Sequence, residues 1–191
     1  ISFGSDAGHL SAELHTGSWV MAMTRCAGLT GFWWWNCIDA KNLYPTFKAL
    51  AAFVRDEDRR GKSYRSSRVT VEFPKDEAGS SEPRAAVGLY GPDELQAYVY
   101  CKAINQRKQS RAATGADDRS FPSSGKGTLE VPEVMKNGRY RLEYWNTFTG
   151  EITGQAEVTL KAGARRLPIP DHRVDLALKL KAMGGEKAGE S

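Results

Sequence analysis

Residues 94–101 read ELQAYVYC, and the alternation of apolar side chains in this stretch decides how most of the chain folds. Leu95, Ala97, Val99 and Cys101 recur at every second position, which is the period of a β-strand with one buried face. The same period recurs elsewhere: Val69, Val71 and Phe73; Tyr140, Leu142 and Tyr144; Ala156, Val158 and Leu160; Val174, Leu176, Leu178 and Leu180. Turn-forming residues separate these stretches, as in Gly91-Pro92-Asp93, Asn137-Gly138 and Thr149-Gly150. The pattern predicts an all-β antiparallel sandwich of about seven or eight strands.

The first sixty residues carry a different pattern, in which strand and helix signals alternate. Residues 1–4 and the Trp-rich run at 31–39, GFWWWNCID, indicate two strands, and a loosely helical stretch at 10–29 separates them. Asp39 or Asn42 is expected to cap a second helix. Apolar residues recur in that helix at intervals of three and four: Leu43, Phe47, Leu50, Ala51 and Val54. The order predicts an α/β piece of βαβα type.

A βαβα piece of this kind is not expected to be a complete domain. Two strands and two helices cannot shield both faces of a parallel sheet, and apolar parallel strands are covered on both sides. We therefore expect it to need chain before Ile1, a partner subunit, or exchange between copies in a homo-oligomer. The predicted divisions are the βαβα portion at 1–60, a polar linker at 61–67, the sandwich at 68–183 and a disordered tail at 184–191.

Trp33, Trp34 and Trp35 offer far more ring surface than an ordinary strand needs. A sugar ring can lay its axial C–H face on an indole while its hydroxyls reach polar neighbours such as Asn36 and Asp39. In a strand, alternation allows at most one or two of the three indoles to line a shared pocket. A buried core strand is the alternative interpretation of the same run.

Composition excludes several classes of function. Of the 191 residues, 40% are hydrophobic and 26% are charged, which is ordinary for a globular protein. The 27 basic and 23 acidic residues are interspersed, and the basic stretches lack aromatics spaced for base stacking, so no nucleic-acid partner is expected. No apolar run approaches the length of a membrane span, so no membrane partner is expected either. No metal and no cofactor is expected, because the cysteines and histidines lack ligand spacing: Cys26, Cys37 and Cys101; His9, His15 and His172.

Taken in order, these motifs resemble a known family of enzymes. ISFG at 1–4, LHTGSW at 14–19 and GFWWWNCIDAKNLYPTFKALAAF at 31–53 resemble the seventh strand to the eighth helix of retaining glycoside hydrolases built on a (β/α)8 barrel. These form the cellulase, mannanase and β-galactosidase-like clan. GRYRLEYWNTFTGE at 138–151, followed by RRLPIP and DLALKL, resembles the β-sandwich that directly follows the barrel in bacterial members. The resemblance implies the last two βα units of a TIM barrel with its sandwich, and a site of action outside the cytoplasm.

The resemblance also implies where catalytic groups stand. The nucleophilic Glu of this clan usually precedes a Phe-Gly pair, and Ser2 precedes Phe3-Gly4 here, so the carboxylate is missing from the nucleophile position. Three explanations compete for a serine at this position: true loss of the nucleophile, a substituted or imperfectly assigned residue, or a misplaced register. The acid/base Glu ends the fourth strand of the barrel, which this chain does not contain. Asp6 and Glu13 are the nearest carboxylates, and both are poorly placed to act as a nucleophile.

Substrate-binding residues follow from the same comparison. Trp34 or Trp35 matches the family's aromatic platform, Asn36 replaces an Asp often found there, and Asp6 lies in the loop after the first strand. His15 matches a histidine of the helix segment, where a hydrogen-bonded structural role is the alternative to a substrate contact.

Two functions are consistent with these motifs. The first is the C-terminal portion of a carbohydrate-active enzyme that hydrolyses β-glycosidic bonds in poly- or oligosaccharides. Such a portion is expected to be inactive alone, because a retaining mechanism needs two carboxylates roughly 5 Å apart. The second is a non-catalytic glycan-binding or assembly protein derived from a glycosidase. In both, the expected partner is a β-linked glycan.

Overall fold

The computed structural model describes residues 7–26, 28, 35–74, 84–101 and 125–183, and it is mostly antiparallel β-sheet. Three helices come first within these ranges: α1 (Ala7–Ala22), α2 (Trp35–Ala40) and α3 (Tyr44–Val54). Nine strands follow them: β1 (Arg65–Val69), β2 (Val71–Glu72), β3 (Arg84–Tyr90), β4 (Glu94–Cys101), β5 (Gly127–Glu130), β6 (Gly138–Trp145), β7 (Ile152–Leu160), β8 (Arg166–Ile169) and β9 (Asp175–Ala182). Among the helices of the described ranges, none combines the length and the apolar character that crossing a membrane requires.

The strands form two sheets that share one core. The large sheet has the order β1-β3-β4-β9-β6-β7 and the small sheet the order β2-β5-β8, and every neighbouring pair is antiparallel. Leu180 of β9 lies opposite Leu95 on one side and Leu142 on the other. Leu129, Leu167 and Ile169 of the small sheet belong to the same cluster of buried side chains. The predicted antiparallel sheet is confirmed, and two sheets around one core are compatible with a sandwich.

The large sheet is covered by the small sheet on one face and by helices on the other. Because side chains alternate along a strand, each one belongs to the core on one of these two faces. In β4, Leu95 and Val99 belong to the core shared with the small sheet, whereas Tyr98 belongs to a second buried cluster. In β9, Leu178 belongs to the core shared with the small sheet, and Ala177 belongs to the second cluster. A period of two therefore places neighbouring residues in different cores.

The second cluster is where α1 and α3 pack on the large sheet. Trp19 of α1 and Phe53 of α3 are fully buried, and their rings meet edge to face at 5.0 Å between centroids. Trp19 also stacks on Tyr98 of β4 at 5.7 Å. Ala49 and Leu50 complete the buried face of α3. The helices thus lie on the outer face of the large sheet.

The end of α1 is tied to the sheet by polar side chains. The last carbonyls of a helix have no partner within it, and positively charged groups are favoured there. Arg59 donates from Nη1 to the carbonyl of Ala22 at 2.8 Å and from Nη2 to Gln96 of β4. Ser66 of β1 donates to the carbonyl of Met23 at 2.7 Å. These contacts fix the position of α1 against the large sheet.

The prediction that the N-terminal region is an α/β fragment of a TIM barrel is wrong. The described ranges contain no α/β barrel-like fragment, and helices α1 and α3 pack on an antiparallel sheet. Trp35, predicted to lie in a strand, is the first residue of α2. β-Propensity depends strongly on context, and residues 35–40 are helical here, followed by a helical bond from the N–H of Lys41 to the carbonyl of Cys37 at 3.0 Å. The strand predicted at 1–4 lies outside the described residues.

Smaller differences concern element ends. The helix predicted after the Trp run is α3, but Leu43 precedes it and neither Asp39 nor Asn42 caps it through its side chain. Part of the predicted linker, residues 65–67, belongs to β1, and the division into domains stays a prediction. The predicted tail at 184–191 lies outside the described ranges. Strands β3 and β5 were not predicted.

Candidate functional site: a cleft at one end of the sheets

A cleft of about 680 Å³ opens where the ends of β6, β7 and β9 meet, and we call it the end cleft. Its lining comes from the end of β6, the β6–β7 turn at 146–150, the start of β7, the β8–β9 connection at 170–174 and the start of β9. Small-molecule sites usually occupy about 300–1,000 Å³, so a compact ligand fits this volume.

The end cleft combines aromatic rings with polar groups. Tyr144 and Phe148 line it, and both are half-buried. The hydroxyl of Tyr144 donates to the carbonyl of Pro168, and burial raises the pKa of Tyr144 to about 12, so it stays neutral. Polar residues at the cleft supply both donors and acceptors: Asn146, Thr153, Gln155, Asp171 and Arg173.

The β6–β7 turn is shaped by its own asparagine. Oδ1 of Asn146 accepts from the backbone N–H groups of Phe148 at 2.8 Å and Thr149 at 3.1 Å, the pattern of an Asx turn. Gly150 closes the turn with a φ of 73°, which glycine adopts without strain. Phe148 is therefore presented from a short, locally hydrogen-bonded loop.

A buried polar network lies behind the turn, centred on Asp175. Its carboxylate accepts from Nε2 of His15 at 3.0 Å, from the hydroxyl of Tyr98 and from the hydroxyl of Thr147. Because a carboxylate only accepts, Nε2 of His15 carries the proton. Burial raises the pKa of Asp175, but the attraction of His15 and the three hydrogen bonds outweigh it and leave the pKa below its usual value. Burial and the Asp175 charge raise the pKa of Tyr98 well above its usual value.

The network connects α1 with the end cleft. The His15 ring lies parallel to the Phe148 ring, with 4.2 Å between centroids and 6° between planes. Trp19 donates from Nε1 to the carbonyl of Thr147 at 3.2 Å. The first helix thus contacts two consecutive residues of the turn that lines the cleft.

Arg84 of β3 holds another wall of the end cleft, the β8–β9 connection at 170–174. Nη2 of Arg84 donates to the carbonyl of Arg173 at 2.9 Å, and Nη1 lies 3.3 Å from the carbonyl of Val174. His172 donates from Nδ1 to the carbonyl of Pro170 at 3.0 Å, which leaves Nε2 to accept from Nη1 of Arg84, also at 3.0 Å. Burial and the nearby Arg84 lower the pKa of His172, so its neutral form is favoured.

The carboxylates that line the end cleft decide whether it resembles the site of a retaining glycosidase, which uses two of them. Asp171 and Asp175 are the carboxylates among its described lining residues. Asp175 already accepts three hydrogen bonds and its side chain is 3% exposed, so it is not free to attack a sugar. Across the described ranges, no group of three histidine, cysteine or acidic side chains could hold a metal ion.

The residues predicted from the resemblance lie elsewhere. Ser2, Asp6 and Trp34 fall outside the described residues. Trp35 is 76% exposed on α2, and Asn36 beside it is also exposed; neither lines the end cleft. Among the predicted residues that the structure describes, His15 is buried behind the cleft wall, where its ring stacks on Phe148 and its Nε2 donates to Asp175. The roles predicted for all of these residues in sugar binding stay predictions.

Sequence reasoning missed Phe148, His172 and Asp175 as members of a site. One signal was available, because Asp175 opens an otherwise apolar alternating strand in which a carboxylate needs a partner. Trp145 contacts the ring of Phe53 at 5.4 Å between centroids and also lines the cleft. Comparison with known proteins finds no matching family model and no significant match among curated sequences.

Proposed function

We propose that this chain is a non-catalytic, C-terminal portion of a carbohydrate-active enzyme, and that its end cleft binds a β-linked glycan. The single observation that carries the proposal is the cleft itself, in which Tyr144 and Phe148 stand among amide, carboxylate and guanidinium groups. We interpret the two sheets as the accessory β-sandwich that the sequence motifs predict.

The chemistry of a sugar ring matches this lining. The axial C–H groups of a pyranose form an apolar face that packs on an aromatic ring, while its equatorial hydroxyls both donate and accept hydrogen bonds. Asn146 and Gln155 carry amides that can do both, and Asp171 and Arg173 add an acceptor and a donor at the cleft. Net-neutral, hydroxyl-rich ligands are therefore favoured over purely apolar ones.

Hydrolysis would need groups that the end cleft does not supply. A retaining glycosidase uses one carboxylate as nucleophile and a second as acid and base. Asp175 accepts hydrogen bonds from His15, Tyr98 and Thr147, and Asp171 is the other carboxylate among the described lining residues. The cleavage of β-glycosidic bonds implied by the resemblance is therefore assigned to another part of the intact protein.

Calorimetric titration of the 191-residue chain with cellohexaose, xylohexaose and mannohexaose tests the proposal. We expect saturable binding of at least one of the three and no release of reducing ends during incubation with any of them. Absence of binding to all three would overturn the proposed binding function. Turnover by the purified chain would overturn the proposed division between binding and catalysis.

Two substitutions locate the binding surface. Phe148→Ala removes a cleft ring and is expected to weaken binding about tenfold, since an aromatic contact contributes about 0.5–1.5 kcal/mol beyond its area. Trp35→Ala is the matched control, because Trp35 is an exposed aromatic residue outside the cleft lining. Equal losses for both variants, or a loss for Trp35→Ala alone, would contradict binding in the end cleft.

A further inference from the structure

We infer that His15 of α1 is a positioning residue for glycan binding in the end cleft, because it holds the Phe148 ring as a fixed stacking surface. This inference rests on the proposed function. It makes the site composite, because one residue belongs to the helical layer and the rest to the sheets.

The first support is the geometry of the two rings. The 6° angle between the planes of His15 and Phe148 and the 4.2 Å between their centroids describe a parallel stack that covers one face of Phe148. Phe148 lines the cleft, and we assign to the ligand the face of the ring that His15 does not cover. A sugar would then complete a three-layer stack with His15 at the bottom.

The second support is that His15 cannot turn freely. It is 4% exposed, and its Nε2 donates to Asp175, whose carboxylate is in turn held by Tyr98 and Thr147. Thr147 precedes Phe148 in the chain, so the same network fixes both the supporting ring and the backbone that carries Phe148.

The energetic consequence concerns ligand binding. A flexible ring loses rotamer freedom when a ligand orders it, and that loss weakens affinity. A ring that is already held loses less. A histidine with only a structural role would change the stability of the chain without changing affinity at temperatures well below unfolding.

Two variants separate the ring of His15 from its hydrogen bond. His15→Gln keeps an N–H donor for Asp175 but removes the flat ring, whereas His15→Phe keeps a flat ring and removes the donor. For the oligosaccharide of the panel that binds, we expect His15→Gln to weaken binding about three- to tenfold. We expect His15→Phe to retain more affinity than His15→Gln.

A double-mutant comparison with Phe148→Ala is the decisive control. In the Phe148→Ala chain, His15→Gln is expected to change affinity no further, because the ring that it positions is gone. Unchanged affinity for His15→Gln in the wild-type background, or the same loss in both backgrounds, would overturn the positioning role. Circular dichroism of each variant verifies that it is folded at the temperature of the titration.

A second readout does not depend on a ligand. With 4-fluorophenylalanine incorporated at position 148, we expect the fluorine resonance to shift when His15 is replaced by Gln, because the stacked ring that shields it is removed. An unchanged resonance would overturn the contact on which the inference depends. Failure of the wild-type chain to bind any oligosaccharide, with this shift still present, would instead overturn the proposed function and retain the ring contact.

Discussion

At Gly150 the β6–β7 turn comes so close to α3 that no side chain fits between them. A Cβ atom at this position would lie 2.8 Å from Cα of Ala49, 2.9 Å from its carbonyl oxygen and 2.9 Å from Cβ of Ala52. Backbone atoms cannot move aside as a flexible side chain can. The residue therefore matters both for its φ of 73° and for the space that it leaves to the helix.

We expect Gly150→Ala to lower the free energy of unfolding by about 3 kcal/mol or more, from a left-handed backbone cost of about 1–2 kcal/mol plus the clash with α3. Gly163→Ala is the matched control, since Gly163 has a φ of 76° and a Cβ atom added there would meet nothing within 4 Å. Gly163→Ala should lower the free energy of unfolding only by the cost of the left-handed backbone. Urea denaturation measures both, and equal losses would show that the contact with α3 is not close in solution.

Lys179 is a second residue whose surroundings explain its burial. Its ammonium pairs with Glu57 and lies 4.5 Å from the ring centroid of Phe53 and 4.9 Å from that of Trp145. Burial raises the pKa of Glu57, but Lys179 and Lys181 outweigh it and leave the pKa below its usual value. Burial lowers the pKa of Lys179 against the opposing effect of Glu57. The pair joins the connection after α3 to strand β9.

We expect Lys179→Met to lower the free energy of unfolding by about 2–3 kcal/mol, because it leaves a buried carboxylate with one partner, Lys181, which still lies 2.6 Å away. Adding Glu57→Gln removes that stranded charge and should recover part of the loss. Chemical denaturation at neutral pH gives both values. A double variant less stable than Lys179→Met alone would contradict a buried ion pair.

The β8–β9 connection forms a wall of the end cleft and carries His172, whose protonation we expect to affect stability. The neutral form of His172 accepts a hydrogen bond from Arg84 and donates one to Pro170. A protonated ring would instead point an N–H at the guanidinium of Arg84. Burial and Arg84 lower the pKa of His172 in the folded chain, and they outweigh the hydrogen bond to Pro170 and the charges of Asp175 and Asp171, which raise it.

The sign of the effect on stability follows from that direction. Below about pH 6.5 an unfolded histidine binds a proton that folded His172 resists, so the unfolded chain binds more protons and stability falls as pH falls. Above about pH 6.5 the contribution is fully present. We expect the free energy of unfolding to decrease between about pH 7 and pH 5 more steeply in the wild type than in His172→Gln, which does not titrate. Parallel curves from urea titrations at several pH values would contradict the assignment.

Burial on one face of the large sheet could be predicted from the sequence, whereas the burial of polar side chains on its other face could not. The alternation of Leu95, Ala97 and Val99 is sufficient to predict a buried inner face. Gln96 and Lys179 on the outer face gave no such signal, because long polar side chains are usually exposed. They are buried here because Arg59 and Glu57 reach them from the segment after α3, which only the tertiary structure shows.

The candidate site was still harder to predict. His15 and Asp175 lie 160 residues apart, and no periodicity links a helix position to the first residue of a late strand. Phe148 looked like part of an ordinary turn, since the sequence NTFTG predicts the bend but not the ring that supports it. For the Trp-rich run the sequence led to a wrong prediction, because the β-propensity of Trp indicates a strand where α2 begins at Trp35.

Backbone amide resonances of the labelled chain, followed during titration with whichever of the three hexasaccharides binds, show directly whether a glycan occupies the end cleft. We predict shifts concentrated at residues 146–148 and 171–174, which line the cleft. Shifts confined to residues 35–44, around exposed Trp35, would contradict it, as would a spectrum that none of the three sugars changes.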